Sequence, residues 1–424
     1  VKTADQARRV AVLALAEITG ARRMMSDVLA DPALGLASLG PAERARAQRL
    51  VALALRRILP ADTVLGPHLQ REPSSEVRAV LRLAVAELAE RPDQAHGIVD
   101  SAVTLVRGLP GQVAAAGFVN AVLRRVTAAP LALEVQKLPG WLRRQLAQAW
   151  GKDTIDQIEA AHLAGGTLDL TLRSPDTAAH WAQTLGAEVL PTGGLRLPNG
   201  AQVSALPGYA SGDWWVQDAA AALPARVLAP APGERVLDLC AAPGGKTMQL
   251  AAMGAQVTAL DQSAARLGRL SANLARTGLT AEVVVADALD WSPDQPFDAI
   301  LLDAPCSATG TIRRHPDLPF VKTRADVEAL VAVQARLIDR ALGFLKPGGR
   351  LVYCTCSILP AEGEDQITAA LLRHPGLAPD PEATAGFGDD WQSAPGQLRI
   401  LPHHWDARGG LDGFFIAALR HTGR

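Results

Sequence analysis

Cysteine is scarce in this chain: four among 424 residues, all within the last 185. Two of them are separated by a single residue, which is no secreted disulfide framework, so a reducing, cytoplasmic setting is expected. A secretory leader is not visible either, because the first ten residues carry Lys2, Asp5, Arg8 and Arg9 and no apolar stretch. Val1 stands where a starting methionine would be, so the native start is processed or cut off. No apolar run approaches the ~18 residues of a membrane span, so no membrane partner is expected. Net charge is almost absent, −1 overall, and gives no global pull toward a polyanion.

With 48% apolar and 20% charged residues, the composition is that of a folded globular protein, long enough for two or three domains. The charge is unevenly spread. Residues 1–150 hold 20 Lys/Arg against 13 Asp/Glu, a balance of +7, and residues 151–424 hold 22 against 30, a balance of −8. In the basic part arginine far outnumbers lysine, which suits phosphate forks and stacking on bases.

Three textures follow one another along the chain. Residues 4–128 read as five to seven helices: Ala7, Val10, Ala14 and Ile18 share a face, as do Val51, Leu55 and Ile58, and Val77, Leu81, Ala84 and Leu88. Next comes a stretch cut by Pro139-Gly140, Gly165-Gly166, Gly193-Gly194 and Pro198-Asn199-Gly200, with a strand at 167–173 and a helix at 177–185. Five of the eight tryptophans lie between Trp141 and Trp215, and a small core is the simplest use for them. From Trp214 onward strands and helices alternate, with strands at 235–240, 256–261, 282–286, 299–303 and 350–354. That alternation predicts a parallel, doubly wound α/β sheet, whose ligands sit beyond the carboxyl ends of the strands. Domain boundaries are expected at 130/131 and 213/214.

The chemistry-bearing motifs fall at those strand ends. Asp238-Leu239-Cys240-Ala241-Ala242-Pro243-Gly244-Gly245-Lys246-Thr247 is a glycine-rich turn that opens a helix and lets backbone N–H groups approach a ligand. A triphosphatase loop would need glycine at 240, where Cys stands, and the GxGxxG spacing of dinucleotide enzymes is missing too. The remaining large class with this layout uses S-adenosylmethionine. Asp261 ends the second strand, placed to accept ribose hydroxyls, and Asp287 follows the third, within reach of an adenine. Asp303-Ala304-Pro305-Cys306 ends the fourth strand. Where amine methylases tend to carry Pro-Pro-aromatic, this segment offers a thiol, the soft nucleophile that adds to C6 of a pyrimidine and makes C5 electron-rich. Cys354-Thr355-Cys356 ends the fifth strand, and alternation puts Cys354 and Cys356 on one side and Thr355 on the other. Without a CxxC knuckle no metal site is expected. The residues alone leave open which thiol attacks.

Asp238–Thr247, Asp303–Asp317 and Tyr353–Pro360, with Val216-Gln217-Asp218 and Asp412-Gly413-Phe414-Phe415, resemble the Sun-type RNA cytosine-C5 methyltransferases. The helical front resembles NusB. The resemblance implies an all-α NusB-like domain, a small α+β adaptor and a Rossmann-like methyltransferase domain. It implies methyl transfer from S-adenosylmethionine to C5 of a cytosine in small-subunit 16S rRNA, in a loop or bulge whose base flips out, by a monomeric enzyme. A tRNA substrate for the same chemistry is the alternative, and a non-catalytic RNA-binding module would not need the cysteine motifs. Carried over residue by residue, Cys356 is the nucleophile, Cys306 assists release of the product, and Asp303 hydrogen-bonds the base. Cys240, Ala241, Ala242, Pro243, Gly244, Gly245 and Lys246 line the cofactor, with Asp261, Asp287 and Asp303. Arg313, Arg314 and His315 are candidates for gripping RNA phosphates. Two positions depart from the family pattern: Cys354, where a smaller residue is usual, and Ser174, where Asn is expected.

Overall fold

The apolar faces read from periodicity are interior. Ala7, Val10, Ala14 and Ile18, on the helix Thr3–Ala21, are at most 6% exposed, and Val51, Leu55, Ile58, Val77, Leu81, Ala84 and Leu88 are buried with them. The structure, a computed structural model, describes residues 3–198 and 202–423; Val1 and Lys2 of the N-terminal reading and the Asn199-Gly200 turn lie outside them. Among the described residues seven α-helices run from Thr3 to Val126. Local chemistry sets their ends: Ser74 caps the helix Ser75–Glu90 by accepting from the Val77 N–H, and Pro92 follows its last turn. Two further helices, Gly140–Trp150 and Lys152–Ala164, occupy a stretch where proline and glycine had masked the helical period.

The chain divides into two units. One comprises Val1–Ala147, Lys152–Ala164 and Ile312–Lys322; the other holds Gln148–Gly151, Gly165–Thr311 and everything from Thr323. No helix among the described residues is long and apolar enough to cross a membrane.

The second unit contains two sheets. The smaller is antiparallel, in the order β2-β3-β1-β4, from β1 (Leu168–Leu172), β2 (Glu188–Val189), β3 (Leu195–Leu197) and β4 (Trp214–Val216). β4, read from sequence as the opening of the catalytic domain, pairs with β1, and the Leu172↔Trp214 register buries Trp214 among Leu170, Leu172, Leu195 and Leu197. Trp214 and Trp215 are core residues, while Trp141, Trp150 and Trp181 are half-buried.

The larger sheet is mixed. Its parallel part is formed by β5 (Arg235–Leu239), β6 (Gln256–Asp261), β7 (Glu282–Val285), β8 (Phe297–Asp303) and β9 (Leu345–Thr355). Four antiparallel strands complete it: β10 (Leu377–Pro379), β11 (Gln392–Ala394), β12 (Gln397–Ile400) and β13 (Phe414–His421). The order is β11-β12-β13-β9-β8-β5-β6-β7, with β10 on β13. The expected parallel sheet is therefore its five-stranded half only. β13 went unread because Phe414–Leu419 is one unbroken apolar run, which carries no period.

Ile300, Leu301 and Leu302 in β8 have no exposed surface, facing helix-covered cores on both sides of the sheet. Each such side chain stabilises the fold by roughly 1.5–3 kcal/mol relative to exposure. A one-residue slip of β8 would move all three off their faces, so the register that sets Asp303 beside Cys354 is tightly held. The strand order reverses between β5 and β8, and the crevice above that point is where the motifs meet.

Candidate active site

Asp238, Asp261 and Asp303 stand at the carboxyl ends of three strands in this one sheet, β6-β5-β8 being consecutive neighbours. Between the first two, the turn 240–244 folds over the sheet edge. Cys240 adopts φ +62 and Gly244 φ +104, where a Cβ on Gly244 would lie 2.7 Å from the Leu270 side chain. The helix Gly245–Ala252 starts immediately after it. Asp261 accepts from the Ala242 N–H (3.2 Å) and the Ser263 N–H (2.9 Å), which ties the turn to β6. Asp287, beyond β7, is exposed and accepts from the Leu289 N–H at 2.9 Å.

Asp238 is wholly buried. Thr247 donates to its Oδ2 at 2.5 Å, its Oδ1 has no partner, and burial pushes the carboxyl up to about 7. Carboxylates on adjacent strand ends around a helix N-terminus offer acceptors for a ribose diol and an ammonium group. The donor set therefore fits S-adenosylmethionine, with Asp261 and the turn Cys240–Lys246 as the residues that would hold it.

Lys246 reaches back from its helix to Asp303, Nζ to Oδ2 at 2.7 Å, and its ammonium lies 5.2 Å from the Phe414 ring centroid. Burial lowers this lysine, but the Asp303 charge and hydrogen bond, together with the Cys354 and Cys356 thiols, outweigh it in sum and hold the ammonium above its ordinary range. Lys246 is thus an internal counter-charge that orients Asp303. The Cys354 thiol donates to the other Asp303 oxygen at 3.4 Å. Both contacts fix the carboxylate plane.

The two motif thiols face each other, Cys306 Sγ to Cys356 Sγ at 3.4 Å. Alternation along β9 is as expected: Tyr353 and Thr355 both donate to the Glu362 carbonyl oxygen, whereas Cys354 and Cys356 pack against the opposite core. The contact with Cys356, then burial, then the Glu362 charge push the Cys306 thiol well above its ordinary value, and burial with the Asp303 charge does the same to Cys354. Cys240 is raised too, mainly by burial, as an inert interior thiol would be.

Glu362 is the site residue that sequence reading missed. It is fully buried, and its carboxylate accepts from the Ser307 N–H (2.8 Å), the Ser307 hydroxyl (2.5 Å), the Ser357 hydroxyl (2.6 Å) and Gln334 Nε2 (3.0 Å). In sequence it reads as an ordinary acid ahead of the helix Glu364–Arg373.

The RNA-contact expectation needs correcting at Arg313. Its side chain has no exposed surface, and its carbonyl accepts from Arg56 Nη2 at 2.8 Å, so it is an interior residue of the helical unit. His315 is half-buried and lowered to about 4 by burial and the Arg314 charge, so it is neutral at pH 7. Of the three, Arg314 alone is an exposed cation.

Residues 225–420 match the family model for the 16S rRNA methyltransferase RsmB/F, and residues 5–128 match that of the NusB family. The ribosomal RNA small subunit methyltransferase B of Xanthomonas campestris is 37% identical over 402 residues, covering 89% of each chain. Among solved structures, the crystal structure of PH0851 superposes with a TM-score of 0.77 over 99% of each chain at 22% identity. A methyltransferase homolog protein from Pyrococcus horikoshii superposes with a TM-score of 0.54 at 28% identity, covering 65% of this chain and 93% of that one.

Proposed function

Since this chain belongs to the 16S rRNA methyltransferase RsmB/F family and is an S-adenosylmethionine-dependent RNA methyltransferase, we propose that it methylates C5 of a cytosine through a covalent thiol adduct. The observation that carries this reading is the pair of thiols 3.4 Å apart beside a lysine-held carboxylate. Amine methylation has no use for two sulfurs so placed.

In this reading Asp303 accepts from the cytosine amino group and orients the base, while the Lys246 ammonium paired with it at 2.7 Å balances the negative charge that thiolate addition spreads toward N3. Cys356, as thiolate, adds to C6, and the electron pair of the C5–C6 double bond becomes available at C5. S-adenosylmethionine, when bound, supplies an electrophilic methyl group there. Loss of the C5 proton, assisted by Cys306, then restores the double bond, and the C6–S pair returns to Cys356. A base must leave its stack for this, which costs a few kcal/mol and favours a loop or bulge in the RNA.

The substrate in this reading is small-subunit rRNA, as the curated relatives' names describe for them. The NusB-like helices, with the basic balance of the first 150 residues, target it. The enzyme works as a monomer in the cytoplasm, a reducing setting that suits free thiols.

Nucleoside analysis of small-subunit rRNA and tRNA from cells with and without the protein tests the substrate. One 5-methylcytosine disappearing from rRNA is expected; its loss from tRNA instead, or a methyl on the exocyclic N4, overturns the reading. Asp261→Asn should weaken S-adenosylmethionine binding roughly 10- to 100-fold by calorimetry, the cost of charge-assisted bonds to a diol. An unchanged affinity would remove Asp261 from the cofactor site.

A further inference from the structure

We propose that Glu362 is a positioning residue that sets the separation of the two reacting thiols, an inference that rests on the thiol-adduct reading above. The backbone ladder between β8 and β9 ends at the pair Asp303↔Cys354. Beyond it no backbone ladder joins the two cysteine-bearing loops, and single bonds link them instead: Ala304 N–H to the Cys354 carbonyl, Gly310 N–H to the Cys356 carbonyl, Ile358 N–H to Thr309 Oγ1, and the Ser357 hydroxyl to those of Thr309 (3.1 Å) and Ser307 (3.4 Å). Parallel strands that leave a sheet have no ladder to keep their loops in register. Glu362 replaces it.

The residues it grips are the ones that follow the cysteines. Ser307 stands next to Cys306, and Ser357 next to Cys356. One carboxylate holds both, with Oε2 shared between the two hydroxyls and Oε1 taking the Ser307 N–H and Gln334. Four donors converge on a group that only accepts. Gln334 is itself fixed to the Pro305 carbonyl at 2.9 Å, one residue before Cys306, so the brace surrounds that cysteine on both sides. The Glu362 backbone adds a third hold, accepting from Tyr353 and Thr355 at the end of β9. A hydroxyl or methyl group in its place would satisfy fewer of these donors, and none of them reaches water.

The consequence is geometric. Cys356 has to reach C6 while Cys306 stays close enough to assist at C5, and displacement of a reacting group by about 1 Å costs on the order of 10²-fold in rate. Glu362→Ala should therefore lower kcat about 10²-fold, with KM for both S-adenosylmethionine and RNA within about twofold of wild type, because nothing that binds either is touched. Glu362→Gln should recover most of the loss. Its amide can donate to the two serine hydroxyls, which then act as acceptors, while its oxygen keeps the Ser307 N–H and Gln334.

A chemical ruler independent of methylation measures the same distance. An azodicarboxamide oxidant takes up the two thiol hydrogens as a hydrazine while a Cys306–Cys356 disulfide forms, and mass spectrometry locates the bridge. Rapid bridging is expected in wild type and Glu362→Gln, and at least about tenfold slower bridging in Glu362→Ala. Should Glu362→Ala fail to fold by circular dichroism, Ser307→Ala/Ser357→Ala removes the gripped hydroxyls and is judged by the same two measurements. Wild-type kcat in a folded variant, or a fallen kcat with an unchanged bridging rate, overturns the proposal, as does a wild type that does not bridge. Slower bridging in an enzyme whose wild type methylates no cytosine at C5 would uphold the brace and overturn the adduct reading instead.

Discussion

Cys356→Ala should remove methyl transfer from labelled S-adenosylmethionine to small-subunit rRNA, with kcat falling by at least about 10⁴-fold. Deleting a nucleophile leaves only the binding and orientation terms, because C5 of cytosine is too electron-poor to take a methyl group without addition at C6. The fold should survive, since Cys356 is half-buried and the change removes a single sulfur from one side of the core. Cofactor affinity should be unchanged, because the turn Cys240–Lys246 and Asp261 belong to other strand ends. Filter binding of labelled methyl groups measures the first quantity and calorimetry the second. Substantial residual transfer would mean that Cys306 or neither thiol attacks.

Cys306→Ala should fail later. Addition to C6 and methyl transfer proceed once, but the C5 proton is no longer removed efficiently, so enzyme and RNA stay joined through Cys356. The expected signs are a burst of one methyl group per enzyme, a turnover rate lower by roughly 10²- to 10⁴-fold, and a protein–RNA band that survives denaturing electrophoresis. Peptide mapping should place the RNA on Cys356. The double variant should form no such band. If Cys356→Ala traps the adduct and Cys306→Ala does not, the two roles are exchanged. The 3.4 Å separation allows either assignment, and the contact with Cys356 and then burial, with a smaller part from the Glu362 charge, raise the Cys306 thiol.

Much of this site was legible because its residues lie at the ends of strands with strong local signals. Asp238, Asp261 and Asp303 each close a short apolar run, and a glycine pair follows the first. Helix faces were equally plain where a 3.6-residue period was undisturbed, as at Val77, Leu81, Ala84 and Leu88. The misses have physical causes. Helices Gly140–Trp150 and Lys152–Ala164 were hidden by Pro139 and Gly151 at their ends. Arg313 looked like a surface cation because arginine usually is one, and only packing shows it enclosed.

Charge, period and motif order therefore determined by themselves that a helical front precedes a Rossmann-like methyltransferase with paired thiols. These are properties of neighbouring residues, and neighbours interact whatever the rest of the chain does. Tertiary structure alone decided which distant groups meet. It brought Lys246 to Asp303, Cys306 to Cys356, and set Glu362 beneath both serines, joining positions 50 or more residues apart across the sheet in the first two cases. Contacts of that kind follow from strand order and register, which no local pattern encodes.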